Sequence, residues 1–247
     1  YFQVHQPFRL RKDYDFFKIG LEHSYEDDKA NRDILVKVAD RCYRPMSLLL
    51  LELIRAWQGR FRVAFSISGV CLEQFELYCP DLINIFQELS NTGCVEFLAE
   101  TYYHSLSSVF SVDEFHTQVS LHSSLVKRLF SYEPKVFRNT ELIYNDDIAR
   151  NIEDLGFKGI LAEGADKILA WRSPNFVYQP EPCQRLVLLL KNYSLSDDLA
   201  FRFSNRDWTA WPLTVEAYAQ WIHQFAGSGE VVNLFMDYET FGEHQWK

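Results

Sequence analysis

The sequence has no long apolar run. The stretches Leu48–Leu51 and Leu186–Leu190 fall well short of the ~20 residues that a membrane-spanning helix needs. It has no low-complexity tract and no repeat at a solenoid period. Positive charge is also scarce, since 25 Lys and Arg against 34 Asp and Glu leave a net charge of −9. That balance disfavours a nucleic-acid backbone as partner but leaves a neutral ligand such as a sugar open. No G-x-G-x-x-G follows the first strand-like segment, so a dinucleotide fold has no support. Neither H-x-x-x-H nor C-x-x-C occurs, and no metal or cofactor is expected. The cysteines (Cys42, Cys71, Cys79, Cys94, Cys183) are odd in number and scattered, which predicts free thiols and fits a reducing, cytoplasmic compartment. There is no initiator Met before Tyr1, and Tyr1-Phe-Gln-Val-His5 begins like the middle of a strand. The chain is therefore expected to be a fragment of a longer protein.

What is present is an ordinary globular composition, 47% hydrophobic and 24% charged over 247 residues, enough for one large α/β domain or two small ones. Strand-like segments fall at 1–5, 62–68, 93–100, 134–141, 158–163, 185–191 and 230–237. Helical periodicity lies between them. A long loop is expected over 8–30, a helix interrupted at Pro45, one long helix from about 72 to 90, and caps at Asp113, Asn145 and Thr214. Trp57 and Trp221 fit helical core faces. Alternation of this kind predicts βαβ units and a parallel sheet, with seven strands suiting a closed or nearly closed barrel.

In such a barrel the C-terminal strand ends converge on one mouth, however distant in sequence. Here they supply His5 with Gln6, Glu100 with His104, Glu141, Glu163 and Asp237. The last segment, Val231 to His244, turns abruptly from apolar to polar. It carries Asp237, Glu239, Glu243 and His244, with Gly242 to let the backbone turn. Arg138-Asn-Thr-Glu141 is a polar end to a barrel strand, and Glu96 is a carboxylate between Val95 and Phe97. Residues that break local rules in this way are candidate functional sites. Opposed carboxylates suggest general acid/base or nucleophilic work, above all on glycosidic bonds.

His5-Gln6-Pro7, Gly93-Cys-Val-Glu96, Phe137-Arg-Asn-Thr-Glu141 and Met236-Asp-Tyr-Glu-Thr-Phe-Gly242 together resemble the ordered conserved regions of glycoside hydrolase family 57, its α-amylase-like members above all. The resemblance implies an α/β fold, an incomplete TIM-like (β/α)7 barrel over residues 1–247, truncated at both ends. The family's C-terminal helical part, with a fifth region, would lie outside it. It further implies a retaining enzyme on α-1,4-glucans or maltooligosaccharides, with Glu141 as nucleophile and Asp237 as general acid/base. His5 would contact the sugar, and Glu96 falls in the second region.

Gln6, His104, Glu239 and His244 join His5 and Glu96 as candidate substrate-binding residues. Trp208 and Trp211, in an irregular region, are candidate stacking platforms for a sugar ring. His104 and His244 are nearly as well explained as structural loop histidines, and His116 and His122 as packing or surface residues. Two alternatives stay open: a 4-α-glucanotransferase using the same double displacement, and a metal-dependent polysaccharide deacetylase on a similar barrel. The barrel is expected to be open at the seam between its first and last strands.

Overall fold

The computed structural model describes residues 1–13, 15, 17, 19–20 and 25–245. The expected loop over 8–30 is therefore described only in part, and its helix begins earlier, at Asp28. The chain runs β1 (Phe2–Val4), α1 (Asp28–Val38), α2 (Arg44–Ala56), β2 (Val63–Ile67), α3 (Gly69–Tyr78), α4 (Pro80–Asn91), β3 (Val95–Phe97), α5 (Ser107–Phe110) and α6 (Val112–Phe130). It continues through β4 (Val136–Arg138), α7 (Asp146–Asp154), β5 (Gly159–Glu163), α8 (Asp166–Leu169), β6 (Val177–Tyr178), β7 (Val187–Lys191), α9 (Tyr193–Asp197), α10 (Val215–His223) and β8 (Met236–Asp237).

Among the described residues, seven of the eight strands are parallel and follow the expected order. They form two sheets, β3-β2-β1-β8 and β4-β5-β7-β6, and the expected incomplete parallel barrel is the architecture observed. The seam lies elsewhere than expected. β1 pairs with β8 through Phe2↔Met236 and Gln3↔Asp237, and the Tyr1 amine donates to the Leu234 carbonyl at 2.9 Å. Hydrogen bonding thins instead between β3 and β4, joined by the single bridge Ala99↔Phe137, and between β7 and the approach to β8, joined by Lys191↔Asn233. At the second place the cause is β6, an antiparallel strand absent from the sequence reading. It pairs with Leu188 and Leu189 of β7, taking the edge that a full strand over 230–235 would have used. The last strand is accordingly only Met236–Asp237.

Other local expectations shift for identifiable reasons. The helix does not break at Pro45. A wider π turn, Ala39–Tyr43, precedes it, where Pro45 has no N–H to offer the Arg41 carbonyl four residues back. Pro45 then sits in the first turn of α2, where that loss costs nothing. Gly242 packs on this widened turn: a Cβ there would lie 2.2 Å from the Arg41 carbonyl oxygen, and its φ is +128°. The expected helix over 72–90 is two helices, divided at Cys79 before Pro80. Ser111, rather than Asp113, caps α6, its side chain accepting from the Glu114 N–H. Asn145 and Thr214 cap α7 and α10 as expected.

Three apolar clusters hold these layers. Leu98, Leu142, Leu161 and Phe235 fill the barrel interior with Tyr1, Ala64, Val136 and Leu189 packed against them. Outside β1–β3 lies an aromatic core in which Phe65 meets Tyr238 edge-on at 5.1 Å and Phe97 stacks on Phe130 at 4.4 Å. A third cluster lies outside β4–β7, around Phe137, Ile152, Ile160 and Leu186. Trp57, expected in the core, is 54% exposed, because it lies at the C-cap of α2, past the buried face. Trp221 is only half-buried, and α10 has no buried residue. All five cysteines are buried and free. Among the described residues no helix is long and apolar enough to cross a membrane.

Candidate active site

The C-terminal strand ends open into a cleft of ≈ 430 Å³. Its lining includes His5, Gln6, His104, Glu141, Asp237, Glu239 and His244, seven of the ten candidate residues. Glu96 does not join them. It is the middle residue of β3, in register with Ala64, and lines a separate cavity with Lys135 and Asn233. Four residues separate it from Glu100, about 13 Å along a strand. Trp208 and Trp211 are also outside the lining. Trp208 packs edge-on against Trp221 at 6.0 Å, and Trp211 lies under the Arg206 guanidinium at 5.8 Å.

Glu141 follows β4 on a tight turn whose backbone is strained. Glu141 and Leu142 have φ of 53° and 55°, left-handed values that cost non-glycine residues ~1–3 kcal/mol each and persist where surroundings enforce them. The enforcement is visible: the Asn139 amide donates to the Ile143 carbonyl and to Ser108 Oγ, both at 3.0 Å. Thr140 Oγ1 lies 3.0 Å from Thr101 Oγ1. The Glu141 side chain is 73% exposed, and His104 Nε2 lies 3.3 Å from its Oε1. Leu142 points inward to the barrel core, so the turn sends the apolar side chain down and the carboxylate up.

Below this turn lies a buried charge cluster. Glu100 is wholly buried. Its oxygens receive Ser66 Oγ at 3.0 Å and Gln3 Nε2 at 3.3 Å, and meet His104 Nδ1 at 3.1 Å and Arg138 at 3.7 Å. Burial alone would push the Glu100 carboxyl up, but the His104 hydrogen bond and the Arg138 charge outweigh it and bring it down to about 2. Arg138 is itself 2% exposed and lies over the Phe235 ring at 5.0 Å. Burial lowers its pKa, opposed by Glu100 and then Glu141. Arg138 thus pairs first with Glu100. His5 stacks on His104 at 4.2 Å and meets Ser68 Oγ through Nδ1 at 2.7 Å. Burial, with His104 beside it, lowers the His5 pKa to about 4, so its ring is neutral near pH 7. His122 is a packing residue: its Nε2 meets the Ile67 carbonyl at 2.7 Å, and Nδ1 faces the Glu100 N–H.

The β8 side is built differently. Asp237 is exposed in the cleft, while Glu239, two residues on, is 5% exposed. Its carboxylate accepts from the Tyr43 hydroxyl and from Gln6 Nε2, the latter at 3.4 Å. Burial raises the Glu239 pKa to about 7, with Asp237 adding to the rise and the Tyr43 hydrogen bond opposing it. His244 donates its backbone N–H to the Glu239 carbonyl at 2.9 Å, closing the loop after β8.

Lys191 and Phe201, which the sequence reading does not single out, also line the cleft. Lys191 bridges Glu163 at 3.3 Å and Asp197 at 3.7 Å. Phe201, 73% exposed, offers an aromatic face at the rim. The irregular segment is rich in aromatic residues, and the fold brings Phe201 rather than Trp208 or Trp211 to the cleft. Among the described residues no group of three or more His, Cys, Asp or Glu side chains is arranged to hold a metal ion.

Fold and site together define a parallel-barrel protein with an acidic cleft at its C-terminal mouth. The chain belongs to glycosyl hydrolase family 57, whose model matches residues 1–247. It is 49% identical over all 247 residues to a protein of Methanocaldococcus jannaschii named "Putative alpha-amylase", and spans 52% of that relative. The crystal structure of 4-α-glucanotransferase from Thermococcus litoralis aligns with a TM-score of 0.71 at 16% identity, covering 98% of this chain and 33% of that one. A "putative polysaccharide deacetylase" structure from Mycobacterium smegmatis aligns at 0.57 and 15% identity, over 80% of this chain and 65% of that one. At these identities both likenesses show the fold.

Proposed function

We propose that the protein carrying this chain is a retaining glycoside hydrolase acting on α-1,4-glucans. The observation that carries the reading is the convergence of Glu141 and Asp237 on one cleft, with Glu141 held on a strained left-handed turn. In the proposed reaction the Glu141 carboxylate attacks the anomeric carbon while Asp237 protonates the departing glycosidic oxygen. This forms a covalent glycosyl-enzyme and frees the first product. Asp237, now a carboxylate, takes a proton from an incoming water, which displaces Glu141 and releases the sugar. Family membership supports this chemistry, and the relative named as an amylase supports the substrate class.

A 4-α-glucanotransferase would follow the same steps with a sugar hydroxyl in place of water, a reading to which the T. litoralis likeness adds only a shared fold. Product analysis on maltooligosaccharides separates the two, since transfer yields longer chains and hydrolysis only shorter ones. Retention requires the two carboxyls ~5–5.5 Å apart; ~6.5–9.5 Å in a substrate-analogue complex would indicate inversion and remove Glu141 as nucleophile. Asp237→Asn should slow natural glucans by orders of magnitude yet spare glycosylation on substrates whose leaving groups need no protonation. Equal loss on both substrate types would defeat the acid/base assignment.

A further inference from the structure

We propose that His104 is the positioning residue for Glu141, and that buried Glu100 acts on the reaction through it. The proposal rests on the reading of Glu141 as nucleophile and adds a role the family motifs do not assign. Four side chains run in contact from the barrel interior to the cleft: Arg138, Glu100, His104 and Glu141. The successive contacts are 3.7, 3.1 and 3.3 Å. His104 Nδ1 faces Glu100 and Nε2 faces Glu141. The one imidazole thus spans the two carboxylates, with a ring nitrogen within hydrogen-bonding distance of each. Of the other titratable groups of the lining, His5 stacks on the His104 ring, Lys191 pairs with Glu163 and Asp197, Glu239 meets Tyr43 and Gln6, and Asp237 and His244 line the β8 side.

The backbone is arranged to make this bridge. His104 has φ of 53°, the same left-handed strain as Glu141. Its turn is closed by its own N–H on the Thr101 carbonyl at 3.0 Å and by the Ser105 N–H on Thr101 Oγ1 at 2.9 Å. Two strained turns, after β3 and β4, thus point an imidazole and a carboxylate at each other. Glu100 is held low, near 2, so it stays ionised throughout the range in which a glycosidase works and His104 keeps its anchor. The neutral His5 ring covers one face of the imidazole. Without His104, the mostly exposed Glu141 carboxylate has no side chain to fix its rotamer against the anomeric carbon. A nucleophile misplaced by about 1 Å costs ~10²-fold.

The test uses the full-length protein. His104→Ala should lower kcat ~10–10²-fold with KM little changed, and His104→Gln, which keeps a donor, should recover part of it. Glu100→Gln should lower kcat less, and in the double variant with His104→Ala should add nothing, because Glu100 acts only through the ring. Side-chain ¹⁵N NMR supplies a readout independent of turnover. Glu141→Gln should move the His104 Nε2 resonance, which faces Glu141, while leaving that of His122, which faces the Ile67 carbonyl, in place. If Glu100→Gln fails to fold, the NMR arm and the two His104 variants still decide. An unmoved His104 Nε2 resonance, a change in KM alone, or additive losses would overturn the proposal. Retained activity in Glu141→Gln would instead defeat the nucleophile reading, and leave the NMR result to judge the bridge separately.

Discussion

The two sides of the cleft bury a carboxylate each and treat it oppositely. On the β3–β4 side Glu100 is wholly buried and its pKa falls to about 2. On the β8 side Glu239 is 5% exposed and its pKa rises to about 7. Burial pushes both upward. The difference is the partners: Glu100 faces the His104 ring and Arg138, whereas Glu239 has only the neutral donors Tyr43 and Gln6. Depth therefore does not decide ionisation; the charge of what lies beside the group does. One side presents an ionised array beneath the proposed nucleophile, and the other a proton-holding carboxyl beside the proposed acid.

The sharpest break of that comparison is at the two exposed carboxylates. Glu141→Gln should cut turnover on maltooligosaccharides by ~10³-fold or more with the melting temperature nearly unchanged, since an exposed mouth residue carries no core packing. Next is Arg138→Met, which leaves Glu100 buried without its cation. Such a loss costs ~3–5 kcal/mol, read by chemical denaturation. Tyr43→Phe on the other side removes a neutral hydrogen bond and should cost only ~1–2 kcal/mol.

The third experiment concerns pH and turns on a sign. Glu239 is raised from 4.5 to about 7, so the folded state holds its proton where the unfolded state has lost it. Its stabilising contribution is full below pH 4.5 and is lost as pH rises through 7. The wild type should therefore lose stability relative to Glu239→Gln between pH 5 and 8, by on the order of 2–3 kcal/mol. Glu100, lowered to about 2, works the other way: its contribution is present above pH 4.5 and disappears as pH falls through 2. His5, lowered to about 4, also costs stability on acidification, between pH 6.5 and 4. Urea midpoints for the wild type and the Gln variant across pH 3–9 check the Glu239 contribution, and parallel curves would refute its assignment.

The smallest effect is at the rim. Phe201→Ala should raise KM for maltooligosaccharides several-fold, about 1 kcal/mol, as loss of one stacking face does. Trp208→Ala and Trp211→Ala should leave KM within twofold, because neither ring lines the cleft. The reverse result would return those indoles to the site.

Much of this was legible in the sequence because it is local. The alternating pattern, the caps at Asn145 and Thr214 and the polar ends of the strands depend on neighbours within a few residues. The convergence of His5, Glu141 and Asp237 then follows from parallel-barrel geometry alone. Glu96 misled because an acidic residue in an apolar strand shows that something special surrounds it, while the rise per residue decides which cavity it meets. Trp208 and Trp211 misled because an irregular segment has no period from which to read direction. By itself the sequence determined the parallel architecture and which residues could meet at the mouth. Only the tertiary structure decided the insertion of β6, the place of the weak seams, Phe201 rather than a tryptophan at the rim, and the opposite states of Glu100 and Glu239. The reason is physical: strand and cap preferences act over a few residues along the chain. Ionisation depends on burial and on the partners within a few ångströms in space, and Arg138 beside Glu100 and Tyr43 beside Glu239 lie far away in sequence.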